Sequence, residues 1–188
     1  VITGGGKGLG FSMAKKFTEE GAKVLISGRN IGILREAAES IGCNFLNLDV
    51  TRVSDFNAFI ERCHDILGGI NCLVNNAGIS LHEKSLFDVT EETFDAQIST
   101  NFKGPFFLTQ TFIDYIIKEK IKGNVLFISS ETGDTMDFRP YGFTKAAVNS
   151  MVQGFAYLFR KRDIRINAVA PGVTASDMTG LRKDGNLF

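Results

Sequence analysis

The sequence predicts an α/β protein: a doubly wound parallel sheet with helices on both faces. Short β-rich runs alternate with longer stretches of helical periodicity along the whole chain. Those runs are almost continuously apolar instead of alternating, which means burial on both faces, as a parallel sheet covered on each side requires. A glycine-rich turn also lies where a first strand would hand over to a first helix, the place such sheets use for ligand binding.

Only Val1 and Ile2 precede that turn, too little for a full first strand. A helical window at Phe11 to Glu20 follows, then a strand at Lys23 to Ser27. Asn30 is placed to cap a helix to Ile41, and Asn44 to Leu48 reads as the next strand. Ser54 is placed to cap a helix to Leu67. Ile70 to Asn75, Asn124 to Ser129 and Arg165 to Ala170 read as strands, separated by helical windows at Glu91 to Lys120 and Tyr141 to Arg162. Gly21, Gly42 and Gly68 stand where left-handed helix stops are expected. The succession is βαβ with right-handed crossovers, hence Rossmann-like. With no linker, repeat or low-complexity tract, residues 1–188 read as a single domain. The short start and the abrupt end lead us to expect that part of the first strand and a C-terminal helix and strand are absent.

Composition narrows the function classes. The 188 residues are 44% hydrophobic and 22% charged, enough apolar material for a sizeable core. Twenty-one Lys and Arg balance 21 Asp and Glu without single-sign blocks, so the field of a nucleic-acid binder is missing. Cys43, Cys63 and Cys72 have no Cys-x-x-Cys spacing and no histidine at ligand distance in sequence, which argues against a metal site and for buried thiols in a reducing compartment. No run has the length of a membrane span and no leader pattern opens the chain, so a cytoplasmic protein is expected.

Thr3 to Gly10 reads Thr-Gly-Gly-Gly-Lys-Gly-Leu-Gly. Between a strand end and an amphipathic helix, such a segment lets backbone N–H groups and the helix dipole hold a diphosphate, with Gly4, Gly6, Lys7, Gly8, Leu9 and Gly10 as the contacts. Its spacing departs from Gly-x-Gly-x-x-Gly, and a plain structural turn is the alternative. The second strand ends Ile26-Ser27-Gly28-Arg29, without the carboxylate that accepts from a ribose hydroxyl and repels a 2′-phosphate. Arg29 and Lys7 instead offer cations, which favours NADP over NAD; solvated surface charges are the alternative.

Tyr141 and Lys145 share a helix face at i and i+4, on the apolar stripe of Val148, Val152, Phe155 and Phe159. An ammonium one turn from a phenol is expected to depress the phenol's pKa from about 10 and ready it for proton transfer near neutral pH. The alternative is a Tyr and a Lys that merely open a surface helix.

Together these motifs resemble the short-chain dehydrogenase/reductase family, in order along nearly the whole chain. Thr3 to Gly10 is similar to its TGxxxGxG loop, and Asn75-Asn76-Ala77-Gly78 to its NNAG. Asn101, Ser130, Tyr141 and Lys145 fall on its Asn-Ser-Tyr-Lys tetrad, and Pro171-Gly172 follows the last strand as in the family. The resemblance implies that Tyr141 exchanges the proton and Ser130 hydrogen-bonds the substrate oxygen, with Ser129 as its possible substitute. It further implies that Lys145 bonds the nicotinamide ribose and tunes the tyrosine, and that Asn101 orders a water in the relay. Asp49 and Val50 would meet the adenine, Asn76, Ala77 and Gly78 would lie along the cofactor, and Pro171, Gly172, Thr174 and Ser176 would close over it. Ser176 stands where the family usually has Thr. The eleven-residue step from Ser130 to Tyr141 is shorter than the family usually shows, which bears on the substrate wall.

The resemblance is strongest to the 3-oxoacyl-[acyl-carrier-protein] reductase branch. It implies an NADP(H)-dependent oxidoreductase moving a hydride between nicotinamide and a small-molecule carbonyl or secondary alcohol, for instance a 3-oxoacyl thioester. A catalytically inactive NADP-binding regulator or scaffold on the same fold is the alternative. The apolar helices after Thr90 and Tyr141 imply, through the same resemblance, a homodimer or homotetramer.

Overall fold

The computed structural model describes residues 1–174. Within it six strands form one fully parallel sheet: β1 (Ile2–Thr3), β2 (Leu25–Gly28), β3 (Asn44–Asn47), β4 (Cys72–Asn75), β5 (Gly123–Ile128) and β6 (Ile164–Val169), in the order β3-β2-β1-β4-β5-β6. β1 is only two residues long yet lies at the centre of the sheet. Ile2 pairs with Ile26 on one side and Val74 on the other, and Thr3 with Ser27, so flanking strands supply the partners that a two-residue element lacks on its own.

Side chains alternate across this sheet. Leu25, Leu73, Val125 and Phe127 join one core with α3 (Phe56–Leu67), α5 (Gly104–Glu119) and α6 (Pro140–Phe159). Ile2, Ile26 and Val74 join the other, with Ala14 of α1 (Gly8–Glu19) and Leu34, Ala37 and Ala38 of α2 (Ile31–Ile41). Phe56, Leu108, Phe112 and Ile116 are at most 1% exposed. Burying each such side chain is worth about 1.5–3 kcal/mol, which makes the α3–α5 face the main anchor of the sheet.

Asn30 caps α2 as expected, its side chain accepting from the Ile33 N–H at 3.1 Å. Gly42 and Gly68 close α2 and α3 in the left-handed region, and Gly21 takes it just beyond the α1 cap. Ser54 does not cap α3. It lies in a 3₁₀ turn, Val53–Asp55, that leads into the helix, and its Oγ donates to Asp55 Oδ1.

The window at Glu91 to Lys120 is not one helix. α4 (Glu91–Ile98) passes through a π turn, Ser99–Lys103, before α5 begins. Pro105 explains the break: it lacks the N–H that would return to the Asn101 carbonyl, and its ring crowds that carbonyl. The carbonyl of Val50 packs against Gly104, where a Cβ would clash. Val50 itself is buried in the α3–α5 core, so its side chain serves packing.

Candidate active site

The strand order reverses between β1 and β4, and their carboxyl ends open the crevice where such sheets bind ligands. Thr3 and Asn76 stitch the two ends together. Thr3 Oγ1 accepts from the N–H groups of Asn76 and Ala77, both at 3.0 Å, and Asn76 Nδ2 donates to the carbonyls of Thr3 (2.8 Å) and Gly4 (3.1 Å). Gly4 turns through φ +65°, and a Cβ on Gly10 would run into the Gly4 carbonyl oxygen. Both glycines are therefore dictated by the tight turn that brings the first residues of α1 to the crevice.

A cavity of about 470 Å³ runs from this turn to the start of α6. Gly4, Lys7, Gly8, Leu9, Gly10, Asn76, Ala77 and Gly78 line one end and Ser130, Tyr141 and Lys145 the other. Pro171, Gly172 and Thr174 border it from beyond β6. Other expected contacts lie apart from this lining. Gly6 faces Ile33 of α2, where its Cβ would be 2.9 Å from Cγ2. Arg29 is exposed at the end of β2. Asp49 is half-buried, with its Oδ1 accepting from Thr51 N–H (3.0 Å) and Oγ1 (2.8 Å). The Thr51 bonds and the charges of Arg29 and Arg52 together outweigh the burial of Asp49 and hold its carboxyl below the usual range. Ser176 lies outside the described residues.

α6 delivers Tyr141 and Lys145 on one face. Lys145 is 6% exposed, its Nζ donates to the Ile128 carbonyl at 2.8 Å, and burial lowers its pKa to about 8. The nitrogen lies 5.4 Å from the centre of the Tyr141 ring. Contrary to expectation, the phenol's pKa stands above its ordinary value. Burial pushes it up, and the counterweights are a hydrogen bond with Ser130 and the charge of Arg139, not Lys145. The physical reason is desolvation of the phenol itself, which disfavours the phenolate.

Asn101 does not line the cavity. It is 2% exposed in the π turn, its Oδ1 accepting from Ile79 N–H and its Nδ2 donating to Ile79 O, both at 2.8 Å, and to Thr144 Oγ1 at 3.2 Å. Thr144 in turn donates to the Tyr141 carbonyl at 2.6 Å. Asn101 thus ties the segment after β4 to the first turn of α6. Both Ser129 and Ser130 border the cavity, and their bonds separate them. Ser129 Oγ donates to Asn149 Oδ1 at 2.6 Å, whereas Ser130 bonds Tyr141 and accepts from Thr132. Ser80, His82, Glu131, Thr132 and Arg139 line the cavity as well. They sit in irregular segments with no periodicity to reveal them, although Arg139 stands two residues before Tyr141. Among the described residues no cluster of His, Cys, Asp and Glu could hold a metal ion, and no helix is long and apolar enough to cross a membrane.

A family model described as short chain dehydrogenase matches residues 1–186. The galactitol 2-dehydrogenase of Agrobacterium fabrum is 33% identical over 177 residues, 92% of this chain and 69% of that protein. The NADP-dependent (R)-specific alcohol dehydrogenase of Lentilactobacillus kefiri is 33% identical over 180 residues, 92% of this chain and 71% of that protein. Among solved structures, the 3-ketoacyl-(acyl-carrier-protein) reductase of Brucella melitensis complexed with NADH superposes with a TM-score of 0.89 at 27% identity, covering 96% of this chain and 77% of that one.

Proposed function

This chain belongs to the short-chain dehydrogenase family of oxidoreductases, and on that premise we propose that it is an NADP(H)-dependent carbonyl reductase, equivalently an alcohol dehydrogenase. The observation that carries the reading is the single cavity joining the glycine turn to Ser130, Tyr141 and Lys145. Its relatives act on different substrates, so a 3-oxoacyl thioester is one candidate among several.

The residues present fit a nicotinamide dinucleotide. The N-terminus of α1 meets the cavity through Gly8, Leu9 and Gly10, with Lys7 beside them, which suits a diphosphate. Lys145 has three donors, gives one to Ile128, and borders the cavity, which suits ribose hydroxyls. Arg29, at the end of a strand with no carboxylate after Gly28, would favour a 2′-phosphate. When bound, the cofactor supplies or accepts the hydride.

The protein's own part is oxygen and proton chemistry. Tyr141, with its pKa raised, holds its proton at neutral pH and gives it to the carbonyl oxygen during reduction. Ser130 donates to that same oxygen and favours the charge that develops on it. Asn101 keeps the π turn, Ile79 and Thr144 in register behind them.

The same reading carries the family's homodimer or homotetramer and a reducing, cytoplasmic compartment, the latter supported by three free thiols. Loss of NADPH absorbance against a panel of ketones, 3-oxo esters included, tests the activity. Tight NADPH binding without oxidation by any of them would instead favour a regulatory protein.

A further inference from the structure

The substrate end of the cavity carries a cation to which this mechanism assigns no contact with the substrate. Arg139 lines the wall with Ser130 and Tyr141, and Ser80, His82 and Thr132 complete a polar surround. Its placement is built into the fold. Asp137 Oδ1 accepts from both the Arg139 backbone N–H (3.1 Å) and its Nε (2.8 Å). The Asp137 side chain is 5% exposed against 35% for Arg139. It is seated on α6 at Gly142, where a Cβ would stand 2.5 Å from the Asp137 Cβ. A buried carboxylate is costly unless paired, and a solvated surface arginine requires no such support.

Asp137 occupies the Nε edge of the guanidinium, whose two Nη groups carry four further donors in a planar fork. A second carboxylate, Glu83, acts on Arg139 electrostatically and is 8% exposed. Neither Asp137 nor Glu83 lines the cavity; Asp137 holds the guanidinium from the protein side, and Glu83, which accepts from Gln97, adds only its charge. Glu131, the carboxylate that does line it, lies against Gly172 beyond β6. What faces the substrate beside Tyr141 is therefore a fixed planar cation, and the group that matches a guanidinium fork in shape and charge is a carboxylate.

Resting on the reductase reading, we propose that Arg139 binds a carboxylate of the substrate, so that the preferred carbonyl compounds are small oxo acids whose carboxylate lies a few bonds from the carbonyl. The test compares acetoacetate with methyl acetoacetate, which share a skeleton and differ in charge, using NADPH with the wild type, Arg139→Gln and Arg139→Lys. The wild type prefers the acid. Arg139→Gln lowers the acid-to-ester ratio of kcat/KM by about 10- to 100-fold, chiefly through KM for the acid, and Arg139→Lys falls between because it keeps the charge and loses the fork. A wild type that prefers the ester, or a ratio unmoved in both variants, overturns the proposal. If the wild type turns over neither compound, it is the reductase reading that fails. Calorimetric binding of malonate to the NADP-loaded protein then decides this site: at least tenfold weaker binding to Arg139→Gln upholds it, and equal binding overturns it.

Discussion

Lys145 stands one helical turn beyond Tyr141, with its Nζ 5.4 Å from the centre of the phenol ring and bonded to the Ile128 carbonyl. The two groups move in opposite directions from one cause. Burial raises the phenol's pKa and lowers the ammonium's to about 8, because desolvation disfavours whichever form is charged. The pair thus holds a protonated phenol beside a lysine that is easily neutralised.

Tyr141→Phe keeps the ring and removes the transferable proton. Turnover is expected to fall by a factor of about 10² or more while the NADPH dissociation constant stays near that of the wild type. Since the raised pKa keeps the phenol protonated, reduction should hold its rate through neutral pH, whereas alcohol oxidation, which needs the phenolate, should rise toward alkaline pH. Steady-state rates in both directions across pH 6–10 check this, and full activity in Tyr141→Phe would refute the mechanism.

Lys145 should be a stability liability in the ligand-free protein. Its folded pKa of about 8 lies below the ordinary 10.5, so between those values the unfolded chain binds more protons and stability rises with pH. Below pH 8 the full penalty of a charged, buried lysine applies, of the order of 3 kcal/mol at most. Lys145→Met is therefore expected to raise Tm at pH 6.5, with the gain shrinking above pH 8 and gone near pH 10.5, while abolishing turnover. Thermal unfolding at several pH values measures it, and a Tm lowered equally at all pH values contradicts the account.

The core and the chemistry were legible in the sequence to the extent that they repeat or pair locally. Leu25, Leu73 and Val125 belong to apolar runs buried on both faces, and Tyr141 with Lys145 is a one-turn spacing on a single helix. Contacts set by distant backbone were not legible. The π turn follows from Pro105 together with a Val50 carbonyl that only the folded sheet brings to Gly104. Gly6 sits in the same glycine run as Gly4, yet it faces Ile33 of α2, because consecutive residues of a tight turn point in different directions. Arg139 escaped because nothing in an irregular loop announces that Asp137 will bury itself at Gly142.

Asn47 bears on cofactor choice. Its Nδ2 donates to the carbonyls of both Gly28 (3.0 Å) and Arg29 (2.9 Å), which fixes the backbone that carries the Arg29 side chain. Arg29→Ala should weaken NADPH about tenfold or more and leave NADH nearly unchanged. Asn47→Ala should produce the same selective loss at a smaller size, since the cation remains but its backbone is loosened. Titrations of both variants with both cofactors test this, and a parallel loss of NADH affinity would count against the assignment.

Ser129 and Ser130 are adjacent, and substituting each should affect a different property. Both border the cavity, but it is Ser130 that bonds the Tyr141 phenol, so Ser130→Ala is expected to lower turnover with little change in NADPH affinity. Ser129 is 3% exposed and donates to Asn149 Oδ1, while Asn149 Nδ2 reaches Asp134 in the turn after Ser130. Ser129→Ala removes the donor of a half-buried amide oxygen, at a cost of about 0.5–1.5 kcal/mol, and loosens the turn that carries Thr132 and the substrate wall. The substitution is therefore not silent: Tm should drop by a few degrees while kcat at low temperature stays within a few-fold of the wild type. Differential scanning fluorimetry together with turnover at 15 °C separates the two effects. A Ser129→Ala variant with unchanged Tm and strongly reduced kcat would reverse the roles of the pair.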